Sequence, residues 1–268
     1  MRIGIGLPTT TPGADGGLLL DWARRADAGP FSTLAVLDRL VYDSVDPFVA
    51  LGAAAAVTTR VRLATMISIG PLRSAAVLAQ QASSVNLVAG GRLTLGLGIG
   101  ARLDDYEAAG ADHRGRGARL SEQLVHLRGL RDQPPMELLV GGASGAALAR
   151  MARYADGYAH GGGPPRAFAS AVTRAKAAWH DLGRPGAPLL WGQAYFALGD
   201  PERGSDYLRD YYAFTGPFAE TVAAANLTSA RAIRDLVRGY RAEGCDELVL
   251  LPTVSDPAEV DRLAEVLG

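Results

Sequence analysis

The chain has 268 residues, 27 Lys and Arg against 28 Asp and Glu, and 48% hydrophobic residues. That balance excludes a mainly disordered chain and offers no basic face for nucleic acid. No apolar run reaches the ~18 residues of a membrane-spanning helix, the first strand begins at residue 2 with no space for a signal peptide, and the single cysteine excludes an internal disulfide and a thiolate metal site, so the expected compartment is the cytoplasm.

Short apolar runs bounded by turn residues predict strands at 2–8, 32–38, 61–68, 93–100, 136–142, 156–161, 189–198 and 247–252. The second run, through LAVL, stops at Asp38 and Arg39; Asp46-Pro47 then places an acceptor at a helix N-cap and a proline at the first helical position. The third run carries Thr65, Met66 and Ser68, Ser74 opens a helix, and Gly90-Gly91 leads to the fourth strand, making one βαβ unit. In the fourth strand Leu93, Leu95, Leu97 and Ile99 share one face while Thr94, Gly96, Gly98 and Gly100 share the other, because strand side chains alternate. Interior glycines mark close approach of a ligand or another backbone, so three in alternation point to room for something flat.

The fifth run enters Gly141, Gly142, Ala143, Ser144, Gly145 and Ala146 and passes directly into a helix of small residues. Backbone N–H groups at a helix start, its dipole and the Ser144 hydroxyl would suit a phosphate, and a plain turn with Ser144 as N-cap accounts for the same residues. The sixth run ends at His160, where a rim histidine bonded to a backbone carbonyl is the simpler reading than a proton carrier. Later, Ile233, Leu236, Val237 and Tyr240 follow the i, i+3, i+4, i+7 stripe of a helix covering a sheet, Gly244 sits at its C-cap, and Asp256-Pro257 opens the last helix.

Regular strand and helix alternation predicts a parallel sheet. A glycine-stripped face in a middle strand favours closure into a single (β/α)8 TIM barrel over residues 1–268, because glycines at a barrel mouth clear space for a ligand. The site then lies where the strands stop. Asp38 there is either a functional carboxylate or the ion-pair partner of Arg39, Arg73 or Arg102, and both readings stay open. The four histidines lack ligand spacing, which gives metal catalysis no support, and the GxGxxA match at 96–101 lies in the wrong strand for a dinucleotide fingerprint.

Taken together, RIGIGLP, FSTLAVLDR, the unit 61–100, LLVGGASGAALARMARYADGY and YRAEGCDELVLLP resemble the bacterial luciferase-like family of flavin- and deazaflavin-dependent oxidoreductases, over nearly the whole chain. The resemblance implies a (β/α)8 barrel whose third strand carries a non-prolyl cis peptide, by position Thr65-Met66, forming a bulge behind the cofactor ring. It also implies Asp38 near the cofactor head, Ser68 near the ring, Gly98, Ile99 and Gly100 beneath it, Asp104 among the cofactor-binding positions, and a phosphate site at Gly142, Ala143, Ser144, Gly145 and Ala146.

The pieces WGQAYFALGDPERG, RDYYAFTGPFAE and DELVLLP resemble actinobacterial members that use coenzyme F420, implying hydride transfer to or from a C=C or C=N bond; FMN with oxygen insertion is the alternative, and a barrel without catalysis the second alternative. Arg39 stands where many members carry a histidine, and Ala101 where some carry a glutamate, so Arg39 and His160, with Tyr42 behind them, are the candidates left to act on the substrate. The short connection 129–135, where relatives carry an insertion, implies an open pocket for a small-molecule substrate that is bulky or presented on a carrier, and family analogy implies a homodimer.

Overall fold

A computed structural model describes residues 1–130 and 134–268. The chain runs β1 (Arg2–Gly6), α1 (Gly16–Ala28), β2 (Thr33–Val36), α2 (Pro47–Val57), β3 (Arg62–Ile69), α3 (Ala75–Val88), β4 (Leu93–Gly98), α4 (Leu103–Ala108), α5 (Arg116–Arg128), β5 (Glu137–Gly141), α6 (Gly145–Tyr154), β6 (Gly157–Ala159), α7 (Pro165–Asp181), β7 (Leu189–Phe196), α8 (Pro201–Tyr211), α9 (Phe218–Ala224), α10 (Ala230–Ala242), β8 (Glu247–Pro252) and α11 (Ala258–Leu267). The eight strands form a closed barrel in chain order, and β1 pairs parallel to β8 from Arg2 opposite Glu247 to Ile5 opposite Leu250. All eight predicted strands are present. Their apolar runs extend past the hydrogen-bonded ladder at the C-terminal end, as at Asp38 and Gly100, because the strands diverge there into the βα loops.

Alternation sorts the side chains into two cores. Leu34, Val36, Leu63, Leu95, Leu97, Val140 and Leu250 face outward and pack under the helices, while Ala35, Ala64, Leu139, Ala159, Trp191 and Val249 face the lumen. The lumen is therefore filled by side chains, as expected for eight strands. Its N-terminal end is closed by polar pairs: Glu247, fully buried, accepts from Arg2 Nε at 2.7 Å and from Ser32, and Arg62 bonds Glu137 at 2.6 Å. Cys245 donates to the Glu247 carbonyl at 3.1 Å, and burial pushes its thiol up to about 12, which makes it the inert hydrophobe expected from its solitude.

Helix starts follow their caps. Asp46 accepts from Phe48 N at 2.9 Å and Val49 N at 3.1 Å ahead of Pro47. Neither α2 nor α3 contains a charged residue, yet Val49, Val77, Leu87 and Val88 are all at least half exposed on them. No helix among the described residues is long and apolar enough to cross a membrane.

Candidate functional site at the barrel mouth

The site is built around an irregularity in β3. Thr65 pairs with Leu95 but Ser68 with Leu97, so β3 holds one residue more than β4 over the same span, which is a β-bulge. The cis peptide lies within it at Met66–Ile67, one residue later than the Thr65–Met66 position implied by the family resemblance. Thr65 stays in register, its hydroxyl donating to the Gly96 carbonyl at 2.6 Å, and the departure from the ladder begins only after it. Met66 points into the lumen core.

The bulge explains the glycine face of β4. A Cβ on Gly96 would be driven into the Thr65 carbonyl oxygen, one on Gly98 would overlap Ile67 Cδ1, and one on Gly141 of β5 would lie 3.1 Å from the same atom. The glycines thus make room for the bulge, and Ile67 lies over Gly98 and Gly141 as a half-buried floor. The expectation of space for a flat ligand is corrected in its first step: what lies directly on the glycines is the neighbouring strand.

Asp38 and Ser68 stand behind that floor. Asp38 Oδ2 accepts from Ser68 Oγ at 2.7 Å, Ile69 N at 2.8 Å and Arg73 Nη1 at 2.7 Å, and its side chain is 2% exposed. Of the two readings open for Asp38, the structure supports the ion pair, with Arg73 as partner. Both residues are turned into the wall of the barrel, so their placement fits fixing the bulge and does not fit contact with a cofactor head or ring.

Arg39 bonds a residue that the sequence reading passed over. Its Nε donates to Asp105 Oδ2 at 3.0 Å, and Asp105 Oδ1 accepts from Leu40 N and Val41 N at 3.0 and 2.9 Å. Asp104, the neighbouring candidate, sits at the rim and pairs with Arg102, whose hydrogen bond holds the carboxyl below its ordinary range. The Arg102 guanidinium lies 4.7 Å from the Phe214 ring centroid.

His160 is displaced from the site. Ala159 faces the lumen, so alternation turns Tyr158 and His160 outward, and the imidazole packs 5.6 Å from the Phe168 ring under α7. This corrects its candidacy as a proton carrier. Burial lowers its pKa below the ordinary value of 6.5. The unfolded chain therefore takes up a proton at a higher pH than the folded one, and the His160 contribution to stability is complete above about pH 6.5 and is lost as pH falls. Urea midpoints at about pH 7.5 and about pH 5 should fall further in the wild type than in His160→Gln; parallel falls would refute the assignment.

The anion-cradle segment is exposed from Gly142 to Ala146. Ser144 caps α6, accepting from Ala147 N at 3.2 Å, and Arg174 of α7 donates to the Ala143 carbonyl at 3.0 Å, bringing a cation beside the helix start. Its place in the barrel puts it next to the Ile67 floor, since β5 adjoins β4 and β4 adjoins β3.

The mouth has two unlike halves. On the β7–β8 side it is filled by Tyr195, Tyr207 and Tyr211, all buried, with Tyr195 Oη 2.8 Å from Tyr212 Oη and Tyr207 Oη 2.7 Å from Thr10 Oγ1. Burial holds the Tyr195 and Tyr207 phenols well above their ordinary value, so both remain neutral. On the β3–β6 side Ile67, Ile99, Gly100, Gly142 and Gly161 stay partly or fully exposed. The two halves thus differ in exposure: the connection 129–135, expected to leave the pocket open, lies in part outside the described residues, and the β7–β8 half is covered by α8 and the 3₁₀ turn Ala213–Thr215 after β7. The i, i+1, i+4 stripe Tyr207, Leu208, Tyr211 was the available signal for that cover. Among the described residues no group of three or more His, Cys, Asp or Glu is placed to hold a metal ion.

Three comparisons bear on this arrangement. An uncharacterized protein of Mycobacterium tuberculosis is 31% identical over 206 residues, covering 60% of this chain and 71% of that protein. An F420-dependent secondary alcohol dehydrogenase, solved with an F420-acetone adduct, shares the fold with a TM-score of 0.82 at 16% identity, covering 99% of this chain and 97% of the other. The monooxygenase RslO1 from Streptomyces bottropensis does so with 0.74 at 18% identity, covering 100% and 97%. The luciferase-like monooxygenase family matches residues 1–248, and the chain belongs to that family.

Proposed function

We propose that the chain is a cytoplasmic oxidoreductase that holds coenzyme F420 on the β3–β6 half of the barrel mouth and moves hydride to or from a C=C or C=N bond of a small organic substrate. The observation that carries this reading is a half-exposed ledge: Ile67, raised on the bulge and flanked by Gly98 and Gly141, adjoins the exposed start of α6 with Ser144 and Arg174. A floor for a flat ring and a cradle for an anionic tail thus lie on one side of one mouth. When bound, the deazaflavin supplies the hydride donor or acceptor. The chain supplies position: Asp38, Ser68 and Arg73 hold the bulge, and the amides at residues 142–146 with Ser144 and Arg174 would hold the phosphate.

Preference for F420 over FMN rests on the resemblance of 191–204, 209–220 and 246–252 to F420-using members. Titration of the purified protein with oxidised and reduced F420 and with FMN, followed by fluorescence quenching, is expected to show saturable F420 binding and weak FMN binding. FMN binding alone would establish the monooxygenase reading instead, and binding of neither would leave a barrel that serves as a binding protein.

The uncharged faces of α2 and α3, on which Val49, Val77, Leu87 and Val88 are exposed, support a homodimer. Sedimentation is expected to show a dimer that dissociates on combining Val49→Glu with Val77→Glu; a wild-type monomer would refute it.

A further inference from the structure

The geometry points to Arg39 as the receptor for a substrate carboxylate, which would make the substrate an organic acid; this rests on the oxidoreductase reading above. The Arg39 side chain is 5% exposed, and its Nη1 and Nη2 atoms have no hydrogen-bond partner among the described residues. Its other sides are occupied. Asp105 takes Nε, and the rings of Tyr42 and Tyr211 flank the guanidinium with centroids 5.2 and 5.1 Å from Cζ. Asp105 has nothing left to offer, since its second oxygen is bonded to Leu40 N and Val41 N. The Nη1–Nη2 edge of a buried cation is thereby left for a ligand, and its two parallel N–H groups, one from each nitrogen, match the two oxygens of a carboxylate. Unmade bonds to a buried charged group are costly enough that an acceptor is the simplest reason for the arrangement.

The surroundings add two details. Tyr42 and Tyr211, which flank the guanidinium, pack on the lumen cluster that fills the barrel, so a bound acid would lie at the mouth of the same barrel. The walls are aromatic, which suits an acid with an apolar or aromatic body. Entry requires the cover to shift, and the 3₁₀ turn Ala213–Thr215 is suited to that because it contains no buried residue.

Calorimetric titration of the purified protein with benzoate and with benzamide, with and without F420, tests this. Benzoate is expected to bind saturably, with benzamide about 10- to 100-fold weaker. Arg39→Lys, which keeps a cation for Asp105 but removes the fork, is expected to weaken benzoate about tenfold while its urea midpoint stays close to that of the wild type; Arg39→Gln should abolish the response. Equal binding of benzamide, no benzoate response under either condition, or undiminished benzoate binding by Arg39→Lys would overturn the assignment. F420 binding without any benzoate response would leave the oxidoreductase reading standing, and an Arg39-dependent benzoate response in a protein that binds no F420 would do the reverse.

Discussion

Gly96→Ala is expected to destabilise the fold by about 3 kcal/mol, at the upper end of the usual cost of overpacking. The new Cβ would meet the Thr65 carbonyl oxygen, a backbone atom that has nowhere to go. Ala64 and Thr65 are held in the ladder against Thr94 and Leu95, and the Thr65 hydroxyl is bonded to the Gly96 carbonyl itself. Gly98→Ala is the informative contrast. Its Cβ overlaps only the far end of the Ile67 side chain, which can change rotamer, so about 1 kcal/mol is expected. That smaller cost should largely disappear in combination with Ile67→Ala, whereas the cost at Gly96 should not. Urea unfolding of the two glycine variants, Ile67→Ala and the two double variants measures this through shifts in midpoint at constant m. The assignment of the glycine face to the bulge fails if Gly96→Ala is as stable as the wild type. If the chain holds F420 as proposed, Gly98→Ala should also weaken that binding more than its small stability change would suggest, because Ile67 would be pushed up into the ledge.

Asp38→Ala should lower stability by about 3 to 5 kcal/mol, the range for breaking a buried ion pair from one side. Three donors lose their acceptor together: the Ser68 hydroxyl, the Ile69 amide and the Arg73 guanidinium. Arg73 is only 12% exposed and would keep Asp46 as its one carboxylate partner, at 3.1 Å. Removing both charges with Asp38→Ala and Arg73→Ala should therefore cost less than the sum of the single changes, and a double-mutant cycle in urea would read the coupling directly. Since the two freed groups at Ser68 and Ile69 end the bulge, Asp38→Ala is also expected to weaken cofactor binding. A loss below about 1 kcal/mol would show that Asp38 does not secure the bulge.

The fold is largely legible in the sequence. Eight apolar runs of strand length, glycines alternating in one of them, and stripes at helical spacing are local patterns with fixed periods, and each was found where its period placed it. The candidate site is legible in outline: the bulge that the family resemblance implies in the third strand, the glycine strand beside it and the Ser144 helix start lie on neighbouring strands of the barrel. Individual roles were less legible. Asp38 was recognised as a carboxylate needing a partner, but Arg73 was one of three choices, 35 residues away. Asp104 was chosen over Asp105, though only Asp105 turns inward to Arg39, 66 residues back in the chain. His160 was placed at a strand end correctly, yet the face it occupies depends on the register of a strand only three residues long.

Residue order alone established the strand and helix succession, the glycine face, the capped helix starts at Asp46 and Ser74 and the charge-free helices α2 and α3, while the last helix begins one residue later than Asp256-Pro257 implied, at Ala258 with Pro257 as its cap. These follow from side-chain alternation, helical spacing and capping chemistry, which act within a few residues. Barrel closure assigned what lies opposite each residue: Ile67 on the glycines, Arg73 on Asp38, Asp105 on Arg39, and the tyrosines of α8 over half of the mouth. Those pairings depend on how neighbouring strand ends are staggered around the ring, and one residue of slip at the β3 bulge would change the two made by β3 and its exit, Ile67 on the glycines and Arg73 on Asp38.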